Sequence, residues 1–312
     1  MLTFSREQVA AALPYAELVD ALAGAFGSEF ETPTRSHHTV PVPERASATL
    51  LLMPAWQAGR ALGVKIATVF PDNAARGIAS VNASYLLLDA ESGLPLAVLD
   101  GTELTLRRTA CASALASRYL SRSDATTLLM VGTGQLAPHM IRAHASVRDI
   151  DTVLVWGRRR EAAEAVAANL EELRIEVVDD LEAAVRRADI ISCATMASEP
   201  LIAGDWLRPG QHVDLVGAFN PRMREADSRA LVRSEVYVDT YGGTLTEAGE
   251  IVQDLESGAI RRDDLRGELA ELARGEATGR VDGNALTLFK SVGCAIEDLA
   301  AARLVLDRHG NG

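Results

Sequence analysis

Thr127-Leu128-Leu129-Met130-Val131, running straight into Gly132-Thr133-Gly134-Gln135-Leu136-Ala137, is the stretch that decides the fold. A short apolar strand followed by a GxGxxA turn and a helical pattern is the arrangement in which a parallel sheet cradles a pyrophosphate. Gly132 makes the tight turn, Gly134 lets the backbone approach the phosphates, and Ala137 takes the third small position where helix meets sheet. The N-terminus of the helix adds unpaired N–H groups and a favourable dipole. Pro138 suits the first helical turn, where its missing N–H is not needed. A single turn of this kind is also an ordinary strand-to-helix connection, so its flanks carry the decision.

Downstream, short apolar runs alternate with helix-length segments, the rhythm of βαβ units and a parallel sheet. Strands are predicted at 127–131, 152–156, 175–178, 190–193, 213–216 and 236–238, with helices at 139–146, 161–173 and 181–188. The pattern is α/β: a Rossmann-type doubly wound parallel sheet over residues 123–283. Upstream, Val9-Ala12-Leu13 and Leu18-Leu22-Phe26 have helical spacing, broken by Pro14. Strand-like runs then follow at 48–53, 61–70, 80–89 and 94–99, the last two joined by a hairpin at Glu91-Ser92-Gly93. This antiparallel meander forms the core of an α+β domain over residues 1–122, ending in an Ala-rich helix at 104–120. The tail, 284–306, reads as one long apolar helix, and residues 284–312 are assigned back to the first domain. Two domains also suit 312 residues, because a single core stops growing near about 250 to 300 residues.

A formal charge of −12 argues against nucleic acid or an anionic membrane as partner, since both need clustered Lys and Arg. The start of the chain lacks a basic stretch followed by an apolar one, and no run approaches ~18 apolar residues. The expectation is a soluble, cytoplasmic protein. Cys111, Cys193 and Cys294 are odd in number and far apart, and they form neither a CxxC pair nor a Cys/His cluster. Structural thiols outside any disulfide are expected, with no metal site.

The end of the second strand of such a sheet distinguishes the two nicotinamide dinucleotides. NAD sites offer the ribose an Asp or Glu there, and NADP sites offer its phosphate an Arg. The chain reads Trp156-Gly157-Arg158-Arg159-Arg160, so NADP(H) is preferred and NAD(H) remains open. In the first domain Lys65 stands inside the apolar run Gly63-Val64-Lys65-Ile66-Ala67, where a cation must snorkel, find a partner or serve chemistry. Alternation alone fits an exposed sheet face for it. Arg35 and Arg108 have the guanidinium fork that clamps a carboxylate, although each taken singly fits a surface ion pair. His37 and His38 have no Ser/His/Asp or metal-ligand context and are left as loop residues.

Several motifs in order resemble the ornithine cyclodeaminase and mu-crystallin family over nearly the whole chain. They are Leu52-Met53-Pro54, Gly63-Val64-Lys65 with Phe70-Pro71-Asp72-Asn73, the hairpin around Glu91-Ser92-Gly93-Leu94-Pro95, Arg108-Thr109-Ala110, the Gly132 loop, Val216-Gly217-Ala218, and Leu288-Phe289-Lys290-Ser291-Val292-Gly293. The resemblance implies that the first domain, with the C-terminal helix, is a substrate and dimerisation domain of a homodimer. It implies an active site in the cleft against the dinucleotide domain. Arg35 and Arg108 would hold a substrate carboxylate, Lys65 would sit beside the reacting carbon and nitrogen, and Met53 would line the pocket. Arg45 is the rival to Arg35.

Family members that cyclise ornithine carry an Asp two residues after a Gly-Gly. Here Phe219 takes that place in Val216-Gly217-Ala218-Phe219-Asn220-Pro221, and a phenyl ring neither accepts a proton nor pairs with an ammonium. The resemblance then implies reduction of a cyclic imino acid, 1-pyrroline-2-carboxylate or 1-piperideine-2-carboxylate, to proline or pipecolate. The alternatives are an alanine dehydrogenase-like amino-acid dehydrogenase, an ornithine cyclodeaminase, and a dinucleotide-binding protein without turnover.

Overall fold

Alternating apolar residues between positions 48 and 100 build a sheet with one buried and one half-exposed face. The computed structural model describes residues 1–310; Asn311 and Gly312, the end of the predicted tail, lie outside the described residues. The chain divides into two compact units, Met1–Thr109 with the segment from Cys294 onward, and Ala110–Gly293.

The first unit opens with β1 (Leu2–Phe4), α1 (Arg6–Ala12) and α2 (Tyr15–Gly27). It continues through β2 (Ser36–Val40), β3 (Ala48–Gln57), β4 (Ala61–Val69), β5 (Val81–Leu88) and β6 (Pro95–Asp100). The sheet order is β1-β6-β5-β4-β3-β2, antiparallel throughout except that β1 runs parallel to β6. His37 and His38, expected in a loop, lie in β2, paired with Leu51 and Leu50. The long helix α3 (Gly101–Leu120) follows, and the division between the units falls inside it, at Thr109, rather than at residue 122.

The second unit contains β7 (Thr127–Val131), α4 (Ala137–Ala145), β8 (Thr152–Trp156), α5 (Arg160–Ala168), β9 (Ile175–Val177), α6 (Leu181–Arg187), β10 (Ile190–Cys193) and β11 (His212–Leu215). Next come α7 (Ser228–Arg233), β12 (Glu235–Val238), α8 (Tyr241–Glu247), α9 (Gly249–Ser257), β13 (Leu265–Glu268), α10 (Leu269–Arg274) and β14 (Thr287–Lys290). The eight strands are all parallel, in the order β13-β12-β14-β11-β10-β7-β8-β9. This is the doubly wound Rossmann-type sheet, and its strand order reverses between β7 and β10. In open α/β sheets ligands bind at such a reversal, beyond the carboxyl ends of the strands.

The chain closes with α11 (Ala295–Gly310), which packs against α2 and against β3, β4 and β5. The predicted helix at 284–306 is therefore corrected: Thr287-Leu288-Phe289-Lys290 is a strand between β12 and β11, and the helix starts at Ala295. All four strand residues are buried, and a short, fully buried run has no periodicity to separate strand from helix.

Candidate functional site

Lys65 is 3% exposed, so the exposed-face reading from periodicity is corrected: Val64 and Ile66 face outward and Lys65 faces inward beneath α11. Antiparallel register sets Met53 of β3 and Tyr85 of β5 directly across from it. Directly opposite residues share a face, so the three side chains form one row. Gly63, two residues earlier on the same face, leaves room for the tyrosine; a Cβ there would fall 2.3 Å from the Tyr85 hydroxyl.

Two acids on α11 complete this cluster. Lys65 Nζ lies 3.0 Å from Oδ1 and 2.8 Å from Oδ2 of Asp298. Arg108, on α3, donates from Nε to Asp298 Oδ1 at 2.9 Å and from Nη1 to Glu297 Oε2 at 2.5 Å. Arg108 is buried as well, so the surface ion pair considered for it is replaced by a pair of buried ones. Burial pushes the Lys65 ammonium down to about 8, with the Arg108 charge adding to the shift, Asp298 opposing it, and Arg35 contributing a smaller push downward. Burial works against the Arg108 charge too, but Asp298 and Glu297 outweigh it and raise its pKa. Burial, and then Asp298, raise that of Tyr85. Arg35 is half-buried just before β2, within electrostatic reach of Lys65. Its rival Arg45 is exposed and lines a separate small cavity of about 100 Å³ with Phe70, Asp72 and Arg76.

Glu297 and Asp298 were missed in sequence. The signal was present, as two adjacent carboxylates in the otherwise apolar run Cys294-Ala295-Ile296-Glu297-Asp298-Leu299-Ala300. Buried carboxylates persist only where cations meet them.

In the second unit a cavity of about 750 Å³ opens at the strand reversal. It is lined by Gly132, Thr133 and Gly134 after β7, by Trp156 at the end of β8 with Gly157 to Arg159 after it, and by the loop Ala194 to Glu199 after β10. Gly132 has φ +118°, and a Cβ on it would fall 2.5 Å from the Ala194 carbonyl oxygen, so both conformation and space demand glycine. A Cβ on Gly134 would meet nothing within 4 Å, which leaves backbone facing open space, as a phosphate cradle requires. Gln135 and Leu136 complete the turn, and buried Ala137 opens α4. These three lie outside the cavity lining. The arginine run divides: Arg160 pairs with Glu164 and Asp179, whereas Arg158 and Arg159 are exposed on the cavity lining and, among the described residues, have no ion-pair partner. Sequence reading also missed Thr195 and its loop, whose only signal was its place after a strand at the reversal.

Phe219 is 49% exposed on the loop after β11. Cys111, Cys193 and Cys294 are buried thiols outside any disulfide. Among the described residues no group of three or more His, Cys, Asp or Glu side chains is placed to hold a metal ion. Among them also, no single helix is long and apolar enough to cross a membrane, and α1 with α2 reaches that length only across a 78° bend.

The model of the ornithine cyclodeaminase/mu-crystallin family matches residues 2–312. Delta(1)-pyrroline-2-carboxylate reductase of Colwellia psychrerythraea is 37% identical over 99% of this chain and 99% of its own. The structure of the Thermococcus litoralis Delta(1)-pyrroline-2-carboxylate reductase, in complex with NADH and L-proline, superposes with a TM-score of 0.92 at 33% identity, covering 99% of this chain and 98% of that one. An archaeal alanine dehydrogenase dimer with bound NAD gives 0.91 at 27% identity, covering 100% and 96%. With the family model spanning all but the first residue, the chain belongs to the ornithine cyclodeaminase/mu-crystallin family.

Proposed function

We propose that the protein is an oxidoreductase that uses a nicotinamide dinucleotide to reduce the C=N bond of a cyclic imino acid, 1-pyrroline-2-carboxylate or 1-piperideine-2-carboxylate, to proline or pipecolate. The observation that carries this reading is the buried cluster of Lys65, Arg108, Asp298 and Glu297, with Arg35 in reach. Buried guanidinium and ammonium groups gathered in one place complement the carboxylate of an imino acid. In this reading Arg108, fixed by the two acids through Nε and Nη1, turns Nη2 to the substrate carboxylate, and Arg35 takes its other side. Met53 closes the apolar side of the ring.

The dinucleotide, when bound, supplies the hydride for the imine carbon. Lys65 gives its proton to the imine nitrogen, and with a pKa near 8 it is charged at neutral pH yet weak enough as a base to release that proton. Asp298 holds the Lys65 amine in place before and after transfer. Gly132, Thr133 and Gly134, with the turn through Gln135, Leu136 and Ala137, hold the pyrophosphate at the α4 N-terminus. Arg158 and Arg159, with no carboxylate at the end of β8, favour NADP(H) over NAD(H).

Phe219 in place of an acid disfavours ornithine cyclodeamination. The archaeal alanine dehydrogenase likeness supports one second reading, reductive amination of pyruvate. A homodimer is supported by the outer face of the first sheet, where Leu52, Pro54, Leu62, Val64, Ile66 and Leu86 stay partly exposed. Buried thiols outside disulfides suit the cytoplasm.

The test incubates purified protein with NADPH or NADH and 1-pyrroline-2-carboxylate, with pyruvate plus ammonia and ornithine plus NAD as parallel arms. Absorbance loss with the cyclic imine alone is expected. Activity only in the ammonia arm would replace this reading with the second, and silence in every arm would leave a binding protein.

A further inference from the structure

The second unit buries charges that the reaction above does not use. Glu225, Glu250 and Lys290 are all fully buried. Glu225 Oε1 accepts from the Thr195 backbone N–H at 2.7 Å and from its hydroxyl at 2.8 Å, and Oε2 accepts from the Gly217 N–H at 2.7 Å. The Glu225 N–H donates to Glu250 Oε1 at 2.7 Å, and Glu250 Oε2 lies 3.3 Å from Lys290 Nζ. The Glu225 carbonyl accepts from Leu201 and Ile202.

These bonds join loops that leave different strands. Thr195 follows β10, Gly217 follows β11, and the turns are pressed together: a Cβ on Gly217 would fall 1.9 Å from the Thr195 carbonyl oxygen. The Gly132 turn is in turn packed on Ala194. Ala194, Thr195 and Leu201 line the 750 Å³ cavity, and Glu225 does not.

We propose that Glu225 is a positioning residue for the dinucleotide: its carboxylate ties the loop after β10 to the loop after β11 and so sets the wall of the cavity. Glu250 and Lys290 are its buried support. The proposal rests on the reading of that cavity as the dinucleotide site. Both oxygens of the carboxylate are needed, because an amide nitrogen in place of one would confront an N–H and leave a buried donor without an acceptor. The loop then shifts, and the effect falls on dinucleotide binding rather than on proton transfer.

NADH and NADPH are titrated into wild type, Glu225→Gln, Glu225→Asp and Gly217→Ala, following quenching of tryptophan fluorescence, and steady-state reduction is measured in parallel. Glu225→Gln is expected to raise the dinucleotide Kd and KM about tenfold or more while kcat at saturating dinucleotide stays within about twofold. Glu225→Asp, which keeps the carboxylate, recovers part of the loss. Gly217→Ala, which parts the same loops without altering charge, reproduces the rise and keeps the test open should Glu225→Gln fail to fold. A wild type that binds neither dinucleotide overturns the reading of the cavity and the proposal together. A wild type that binds, with variants that melt at lower temperature yet bind as tightly, overturns the proposal alone.

Discussion

Lys65 Nζ and the Asp298 carboxylate, 233 positions apart in the chain, meet at 2.8 Å with both side chains buried. Because the same carboxylate also holds Arg108, a single helix, α11, fixes the two cations on which the proposed chemistry depends. A buried ion pair broken on one side leaves an uncompensated charge that costs about 3 to 5 kcal/mol. Asp298→Asn is therefore expected to lower stability by about that amount in urea denaturation. A loss below about 1 kcal/mol, the range of surface pairs, would mean that the cluster is hydrated and the burial argument fails.

Turnover should carry the titration of Lys65. Burial lowers its pKa to about 8, Arg108 and Arg35 push the same way, and Asp298 pulls it back up. The reduction needs the ammonium, so kcat/KM should be flat below pH 8 and fall about tenfold per unit above it. Oxidation of the amino acid needs the neutral amine and should rise to pH 8 and level off. Asp298→Asn removes the anion that favours the ammonium, so the break should move to lower pH. Lys65→Ala should abolish the break and most of the rate; a variant with full rate would remove Lys65 from the mechanism.

The parallel sheet was legible because its strands are apolar runs between helices of ordinary length, and the Gly132 turn fixed the place of the cavity. Less legible were elements with no period of their own. β14 is four buried residues that look like the start of the helix after it, and β1 has only Phe4 to bury. In the candidate site, Lys65, Arg35 and Arg108 stood out as cations in apolar or ordered surroundings, but alternation could not say which face of β4 was covered. That depends on α11, which returns from the far end of the chain. Asp298 and Glu297 were hidden for the same reason, since these carboxylates in an apolar helix gain their meaning from Lys65 and Arg108, 233 and 189 positions away.

The split of the arginine run makes cofactor choice testable. Arg160 is engaged by Glu164 and Asp179, while Arg158 and Arg159 lie on the cavity lining. Replacing both Arg158 and Arg159 by Ala should raise the KM for NADPH about tenfold and leave that for NADH within about twofold, because only the former has the extra phosphate for a guanidinium to pair with. Equal effects on the two dinucleotides would sink the preference for NADP(H).

Gly132→Ala should lose dinucleotide binding outright. The backbone there has φ +118°, a region costly for any residue with a Cβ, and the added carbon would press on the Ala194 carbonyl. Fluorescence titration with NADPH checks this, and a Gly134→Ala variant makes the contrast. Its Cβ meets no protein atom, so the apoprotein should be as stable as wild type while binding falls. If Gly134→Ala binds normally, the backbone at 134 does not approach the ligand.

Acid should destabilise the second unit through His212. Its ring is fully buried, with Nδ1 3.0 Å from the Thr287 hydroxyl. Burial lowers its pKa to about 3, helped by the charges of His144, Arg280 and Arg148 and opposed by Asp214. The folded pKa lies below the unfolded value of 6.5, so between the two the unfolded chain binds the proton and the folded chain does not. Stability from this residue is thus complete above pH 6.5 and is lost as pH falls toward 3, by up to about 1.4 kcal/mol per pH unit. Urea midpoints measured at pH 7.5, 6 and 5 should fall in wild type. His212→Asn, which does not titrate, should be less stable at pH 7.5 for its lost packing yet show a shallower decline. Parallel declines in the two proteins would place the acid sensitivity on other groups and show that His212 takes up its proton without unfolding.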